Sequence, residues 1–135
     1  MNLEIGSFSE ALRELADRFE RIYDVKCQLI DNQTFKVEDR TMATHLYRIA
    51  QEAINNAIRH GSADHISVTL DSENGRNRQI IEDNGTGLPK NFEAAKGMGI
   101  NNMRFRANMI GAELSLRPVD IGGTKVICTW FAGRG

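Results

Sequence analysis

The sequence is poor in the residues that mark specialised classes of protein. Cys27 and Cys128 are its only cysteines, and each lies in an alternating, strand-like run. This pattern favours two buried thiols in a reducing cytosol over a disulfide. The histidines at positions 45, 60 and 65 do not combine with cysteines or carboxylates into a zinc-binding pattern. We therefore expect neither a disulfide scaffold nor a structural zinc site.

Excess charge and long apolar runs are also lacking. The formal net charge is −1, so overall electrostatics does not attract nucleic acid or an anionic membrane. No apolar run approaches the ~20 residues that span a bilayer. The N-terminal sequence MNLEIGSFSEALREL does not have the basic and then apolar order of a signal peptide. These absences predict a cytoplasmic domain without nucleic-acid or membrane contact.

The remaining composition is that of an ordinary globular domain. The 135 residues are 41% hydrophobic and 26% charged, which predicts a single domain, residues 1–135, with one core. Apolar residues spaced three or four apart predict three amphipathic helices. Ser7 and Glu10 form a capping box before the first helix, and Gly61 and Gly111 follow the second and third. The helical stretches are 7–22, 39–60 and 100–110.

Alternating apolar residues predict five strands. The Asn74-Gly75 pair indicates a hairpin between the second and third strands. The last strand, around Val126 to Trp130, is apolar on both faces, which is typical of a central strand. The predicted fold is therefore α+β: a two-layer α/β sandwich in which three helices cover one face of a mixed five-stranded sheet. The strands are expected near 25–29, 66–70, 79–82, 112–116 and 126–130.

The second predicted helix carries a polar stripe. Glu52, Asn56 and Arg59 share an arc of roughly 60° at the edge of its apolar face. An amide oxygen suits Mg²⁺, a guanidinium pairs with phosphate, and a carboxylate accepts a proton. A solvated helix edge with an ion pair explains the same pattern, and His60 at the helix end also suits the helix dipole.

Two glycine-rich stretches complete the set of candidate sites. Asp83-Asn84-Gly85-Thr86-Gly87 ends a strand, where a carboxylate can accept a hydrogen bond from an exocyclic amine such as that of adenine; a tight turn is the alternative. Gly97-Met98-Gly99 precedes the third helix, whose N-terminus suits phosphate. Gly122-Gly123-Thr124 opens the last strand. The Thr124 hydroxyl could reach a nucleotide base from this position; a bulge or turn is the alternative interpretation. The long loop between residues 84 and 99 favours function over a neutral connection.

Taken together, these motifs resemble the ATP-binding domain of the GHKL (Bergerat) superfamily. The detail is similar to sensor histidine kinases of the nitrate-sensor and membrane-fluidity-sensor subfamily, and the likeness covers about Phe8 to Trp130. The motifs that carry it stand in the family's order: Glu52-x-x-x-Asn56-Ala57-x-x-His60, Asp83-x-Gly85-x-Gly87, Gly97-x-Gly99-Ile100-x-x-Met103 and Gly123-Thr124. The resemblance implies the Bergerat ATP-binding fold.

The resemblance also implies roles for individual residues. Glu52 would be catalytic, activating or positioning the attacking histidine, and Asn56 would bind Mg²⁺ on the triphosphate of ATP. Asp83 would bind the adenine amine, and Thr124 would support the adenine pocket. Arg59 stands where many kinases have a phosphate-contacting lysine. The other nucleotide-binding positions that the motifs imply are His60, Gly85, Gly87, Gly97, Gly99 and Ile100.

The sequence departs from the family pattern in two places. The stretch from Leu88 to Lys96 is short, and no upstream dimerisation segment with a phospho-accepting histidine is present. The expected function is therefore that of a histidine kinase catalytic domain, which binds Mg-ATP and phosphorylates a histidine on a separate segment, with a response regulator downstream. It is expected in the cytoplasm, including as the cytosolic part of a membrane-bound sensor. Two alternatives are a nucleotide-binding interaction module and an anti-sigma-type serine kinase. The run Met103-Arg104-Phe105-Arg106, which is typical of the histidine kinases, argues against the serine kinase.

Overall fold

The computed structural model describes residues 8–32, 37, 39–89, 91 and 99–131. Helices and strands follow one another in an order that confirms the predicted α+β class, with elements at α1 (Phe8–Tyr23), β1 (Lys26–Asp31), α2 (Arg40–Arg59), β2 (His65–Glu73), β3 (Arg76–Asp83), α3 (Ile100–Met109), β4 (Glu113–Pro118) and β5 (Thr124–Phe131). None of the helices in these described ranges is long and apolar enough to cross a membrane.

The five strands form one mixed sheet in the order β1-β2-β3-β5-β4. β1 runs parallel to β2, and the other neighbouring pairs are antiparallel. The predicted interior position of β5 is confirmed, because β3 and β4 flank it, although β3 is the middle strand. This pairing places the start of β5 beside the end of β3, so that Lys125 lies opposite Glu82. Thr124 is thereby brought next to Asp83.

The core lies between the sheet and the three helices. α2 supplies its centre, where Leu46, Ile49, Ala50 and Ile54 have no measurable exposure. They face strand residues such as Val68 that alternate with half-buried ones. Each buried aliphatic side chain stabilises the fold by roughly 1.5–3 kcal/mol relative to exposure. Burial of this one face of α2 leaves its edge residues to line the space beside the sheet.

The ends of α2 are fixed by local hydrogen bonds. The Asp39 carboxylate accepts hydrogen bonds from the backbone amides of Thr41 and Met42, at 2.8 and 3.2 Å, which is standard N-capping. At the other end the C-cap is His60. The left-handed residue beyond it is Ser62, with φ of 52°, and not the glycine that the sequence favours. At Gly61 a Cβ would instead meet the Ala57 carbonyl oxygen at 2.9 Å.

Two other predicted turns are confirmed. Asn74 and Gly75 both have positive φ, 54° and 77°, as the two central residues of a type I′ hairpin turn do. Gly111 ends α3 with φ of 68°. Ser7, the cap predicted for α1, and the tail 132–135 lie outside the described residues.

Both cysteines are buried and free, as predicted. Burial raises the pKa of each thiol to about 12. Negative charge on Glu20 and Asp17 adds to this effect at Cys27. The thiols therefore stay protonated at neutral pH and have little nucleophilic character.

Candidate functional site

A cavity opens between the C-terminal half of α2 and the ends of β3 and β5. Its walls come from five separate parts of the chain. The lining residues are Ala53, Asn56, Ala57, His60, Gly61, Asp83, Gly87, Leu88, Met103, Leu116, Thr124 and Val126. Most of the lining is apolar, and Asn56, His60, Asp83 and Thr124 supply the polar side chains. An apolar cleft with a few convergent polar groups is the usual form of a small-molecule site.

Asp83 is the only carboxylate among these lining residues. It is half-buried, and it accepts hydrogen bonds from the backbone amides of Gly85, at 2.8 Å, and Thr124. Burial raises the pKa of Asp83, and these two hydrogen bonds oppose the rise. The carboxylate is therefore held in a fixed orientation while part of it remains available to a ligand.

Glycines around Asp83 are required by close packing of the chain against itself. A Cβ at Gly123 would overlap the carbonyl oxygen of Asp83, and Gly123 has φ of 106°. A Cβ at Gly85 would overlap the carbonyl oxygen of Gly61. That same carbonyl accepts a hydrogen bond of 2.8 Å from the Thr86 amide. The end of α2 and the loop after β3 are thus in direct backbone contact, and this contact requires glycine at position 85.

The opposite wall of the cavity is α2. Asn56 is half-buried, and its backbone carbonyl accepts hydrogen bonds from the amides of His60 and Gly61, at 2.9 and 3.2 Å. His60 is exposed at the C-cap and lines the cavity. Arg59, the remaining predicted phosphate contact on this helix, is exposed and is not among the lining residues.

Glu52 lies one helical turn before Asn56 and faces the start of α3. A Cβ at Gly99 would overlap the Glu52 carboxylate, and Gly99 adopts φ of 65° at the N-cap without any side-chain cap. The side chain of Ile100 is buried in the core, so any contact with a ligand must come through its backbone. Gly97 lies outside the described residues.

On its outer side Glu52 borders an open polar groove between the helices. The groove is lined by Phe19, Tyr23, Arg48, Gln51, Glu52, Asn55, Asn102, Met103 and Arg106. Arg106 of α3 lies 3.2 Å from Nδ1 of His45 on α2. His45 is half-buried in this contact. Burial and the positive charge of Arg106 lower the pKa of His45.

The cavity fits a magnesium ion only as part of a metal–nucleotide complex. No group of three or more His, Cys, Asp or Glu side chains that could hold a metal ion occurs among the described residues. Asn56 lines the cavity, and its side-chain amide contains one hard oxygen atom. Mg²⁺ keeps several waters and is commonly held by few protein oxygens together with substrate phosphates. The donor set thus suits an ion that phosphate oxygens help to bind.

Sequence reasoning did not identify the side chain of Asn84. Its Oδ1 accepts hydrogen bonds from the amides of Asp64 and His65, at 3.1 and 3.0 Å, and its Nδ2 donates to Asp64 Oδ1 at 2.7 Å. The available signal was the preference of asparagine for hydrogen bonds to nearby backbone in turns. Here the backbone partners, Asp64 and His65, are separated from Asn84 in the sequence by the length of β2 and β3. No local sequence pattern indicates a contact across that distance.

Comparison with known proteins agrees with this geometry. Residues 41–133 match the family model described as "Histidine kinase-, DNA gyrase B-, and HSP90-like ATPase". The sensor histidine kinase LiaS of Bacillus subtilis (strain 168) is 34% identical over 129 residues, which are 93% of this chain and 34% of that protein. The nitrate/nitrite sensor protein NarQ of Escherichia coli (strain K12) is 30% identical over 136 residues, which are 100% of this chain and 24% of that protein.

Solved structures give the same fold. The ATP-binding domain of PrrB from Mycobacterium tuberculosis superposes with a TM-score of 0.78 at 24% identity, over 93% of this chain and 94% of that one. The chain spans about a third or less of the length of the two curated relatives given above. Because the family model covers most of the described residues, the chain belongs to the family of histidine kinase-, DNA gyrase B- and HSP90-like ATPases.

Proposed function

We propose that this chain is the ATP-binding catalytic domain of a two-component sensor histidine kinase. The observation that carries the proposal is that Asp83, Thr124 and Asn56 line one cavity. The half-buried carboxylate suits the exocyclic amine of adenine, and the amide oxygen suits the metal-bound phosphates. Family membership and the sensor-kinase relatives support the same assignment.

In this proposal the adenine ring enters beside Asp83, between the apolar side chains of Leu88 and Met103. Gly87, at φ of 87°, keeps the chain close to the ring without a side chain in the way. The triphosphate extends toward the N-terminus of α3, where Gly99 and the backbone amides of the first turn favour anions. Gly97, Arg59 and His60 are proposed to contribute on the same side.

Mg²⁺, when bound, would neutralise phosphate charge and polarise the γ-phosphoryl group. Asn56 is the proposed protein ligand. Transfer then forms a bond between an imidazole nitrogen of the acceptor histidine and the γ-phosphorus, while the bond to the β,γ-bridging oxygen breaks and ADP leaves. Glu52 is proposed to accept the imidazole proton or to orient the ring, in keeping with its position between Gly99 and the open groove.

The acceptor histidine is proposed to lie on a separate dimerisation segment of the full-length kinase, because no described histidine lies beside Glu52 in an accessible position: His45 contacts Arg106 and His60 caps α2. The groove bordered by Glu52 is the proposed path of approach. A response regulator then receives the phosphoryl group. A cytosolic location for this domain is part of the same proposal.

The first test is a titration of the chain with Mg-ATP, with Mg-GTP as the control. We expect saturable ATP binding and much weaker GTP binding, because Asp83 accepts a hydrogen bond from an amine and GTP offers a carbonyl at that position. The second test adds labelled ATP and the separately made acceptor segment of the same kinase. Label on that segment supports the kinase; ATP binding without any transfer would instead indicate a nucleotide-binding interaction module.

A further inference from the structure

Asn84 joins the end of β3 to the start of β2. Its side chain makes three hydrogen bonds to Asp64 and His65, and its own backbone amide donates to the His65 carbonyl at 3.2 Å. We call this set of contacts the Asn84 bridge. Asp64 ends the connection between α2 and β2 and His65 is the first residue of β2, whereas Asn84 directly follows Asp83. The bridge therefore ties the residue after the carboxylate to the segment that leaves α2.

The bridge uses three of the four hydrogen-bonding positions of an asparagine side chain. One carbonyl oxygen serves two backbone donors, and the amide nitrogen serves the Asp64 carboxylate. An aspartate at this position keeps the acceptor but loses the donor, and it sets two carboxylates against each other. A serine or alanine side chain at this position is too short to reach Asp64 and His65.

The bridge matters because Asn84 itself is exposed and does not belong to the hydrophobic core. The same two segments are also joined by the pairing of Asp83 with Ile66 between β3 and β2 and by the backbone hydrogen bond from Thr86 to Gly61, of 2.8 Å. The Asn84 bridge and the Thr86 hydrogen bond lie on either side of Gly85. Between them they fix the backbone that orients the Asp83 carboxylate through the Gly85 amide.

We propose that Asn84 is a positioning residue for adenine recognition. It does not face the cavity; it holds the Asp83 loop at a fixed distance from the end of α2, where Asn56 and His60 lie. This role rests on the proposed function, because it assumes that Asp83 binds the base. It assigns to Asn84 a share in the choice of ATP over GTP.

Reversing the bridge provides the test. Asn84→Asp removes the donor and adds repulsion from Asp64, so the loop should loosen. Asp64→Asn alone keeps an oxygen acceptor for Asn84 Nδ2 and should change little. The double variant Asn84→Asp/Asp64→Asn restores a donor–acceptor pair with its direction reversed. Asn32→Asp, at the exposed far end of β1, makes the same change of charge away from the bridge.

The first measurement is amide hydrogen exchange in the nucleotide-free full chain. We expect exchange at Gly85 and Thr86 to be at least about fivefold faster in Asn84→Asp and to return toward the original rate in the double variant. The second is the ratio of ATP to GTP affinity at a temperature well below unfolding. ATP affinity should fall by about tenfold in Asn84→Asp, with little change for GTP, and recover in the double variant.

The possible results separate the two proposals. Unchanged exchange in Asn84→Asp, or equal losses of ATP and GTP affinity without recovery in the double variant, overturns the positioning role and leaves the ATP site intact. A chain that binds no nucleotide in its original form overturns the proposed function, and the role of Asn84 in base choice falls with it. If Asn84→Asp changes only the unfolding temperature, and neither hydrogen exchange nor the ratio of ATP to GTP affinity, the positioning role is overturned.

Discussion

Gly123 lies so close to the backbone of Asp83 that the candidate site requires glycine, which has no side chain, at position 123. A Cβ at Gly123 would overlap the Asp83 carbonyl oxygen and crowd Asn84 Cα at 3.0 Å. The residue that follows, Thr124, donates its amide to the Asp83 carboxylate. The turn before β5 and the end of β3 thus form one unit. The sequence shows a glycine pair and an aspartate, and only the strand pairing brings them into contact.

We predict that Gly123→Ala destabilises the domain by about 1–3 kcal/mol, because the methyl group is forced against backbone that cannot move aside, and that it weakens ATP binding as well. Gly111→Ala is the matched control: Gly111 also has positive φ, 68°, but a Cβ there would meet no other atom within 4 Å. Urea unfolding of both variants measures the difference. Equal losses would mean that backbone conformation alone, and not the contact with Asp83, requires Gly123.

Asp83→Asn should reduce ATP affinity by about 10- to 100-fold, which corresponds to loss of a hydrogen bond to a charged group of ~1.5–3 kcal/mol. The preference for ATP over GTP should narrow in the same variant. Calorimetric titration with both nucleotides tests this. Asp17→Asn, on the exposed side of α1, is the control for the change of charge. ATP affinity within twofold of the original would remove Asp83 from the proposed adenine contact.

The same substitution should have the opposite effect on stability without nucleotide. Burial raises the folded-state pKa of Asp83 above its ordinary value of 3.8, so the folded state binds the proton more tightly than the unfolded state. The stabilising contribution of this group is present below 3.8 and is lost as pH rises through the folded-state pKa. We therefore expect Asp83→Asn to unfold at a higher temperature than the original at about pH 7.

This gain should shrink on acidification to about pH 3, where both forms are uncharged at this position. Thermal unfolding of the two proteins across that pH range is the measurement. A gain that does not depend on pH would show that a cause other than ionisation of Asp83 stabilises the variant.

Asn56→Ala should weaken Mg-dependent ATP binding by about tenfold, or ~1.4 kcal/mol, because it removes the one proposed protein ligand of the metal. Adenosine, which has no phosphates, should bind the variant nearly as well as the original. Asn55→Ala is a suitable control, since Asn55 lines the groove and not the cavity. Similar losses for ATP and adenosine would point to packing as the role of Asn56.

Glu52→Gln should leave ATP affinity nearly unchanged and slow transfer to the acceptor segment by about 10²–10⁴-fold, the range expected for removal of a general base. The measurement is the rate of label transfer at saturating ATP. Glu14→Gln, exposed on α1, is the control. A transfer rate close to that of the original chain would assign the proton to another acceptor.

The three helices could be predicted from the sequence because their causes are local. Apolar spacing in α1 and α2, the Asn74-Gly75 turn and Gly111 each act within a few residues, so short-range pattern is enough to locate them. The candidate site residues were predicted from the order of four motifs. Five of them, Asn56, His60, Asp83, Gly87 and Thr124, line one cavity.

Other features depended on contacts that no local pattern encodes. Ser62, and not Gly61, takes the left-handed position after α2, and the Gly61 carbonyl contacts Gly85 and Thr86 of the loop after β3. Arg59 shares the polar arc of α2 but lies outside the cavity lining. Helical spacing predicts which residues share one edge of α2. The loops packed beside the helix determine which of those residues line the cavity.

By itself the sequence determined the elements and the chemical groups of the site. The tertiary structure decided their arrangement: β5 inserts between β3 and β4, which places Gly123 and Thr124 against Asp83, and the Asn84 bridge sets the Asp83 loop against the end of α2. The physical reason is the separation along the chain over which each kind of interaction acts. Helix and turn preferences act over a few residues, but strand order and loop contacts join residues far apart in the chain and are settled only when the whole core packs.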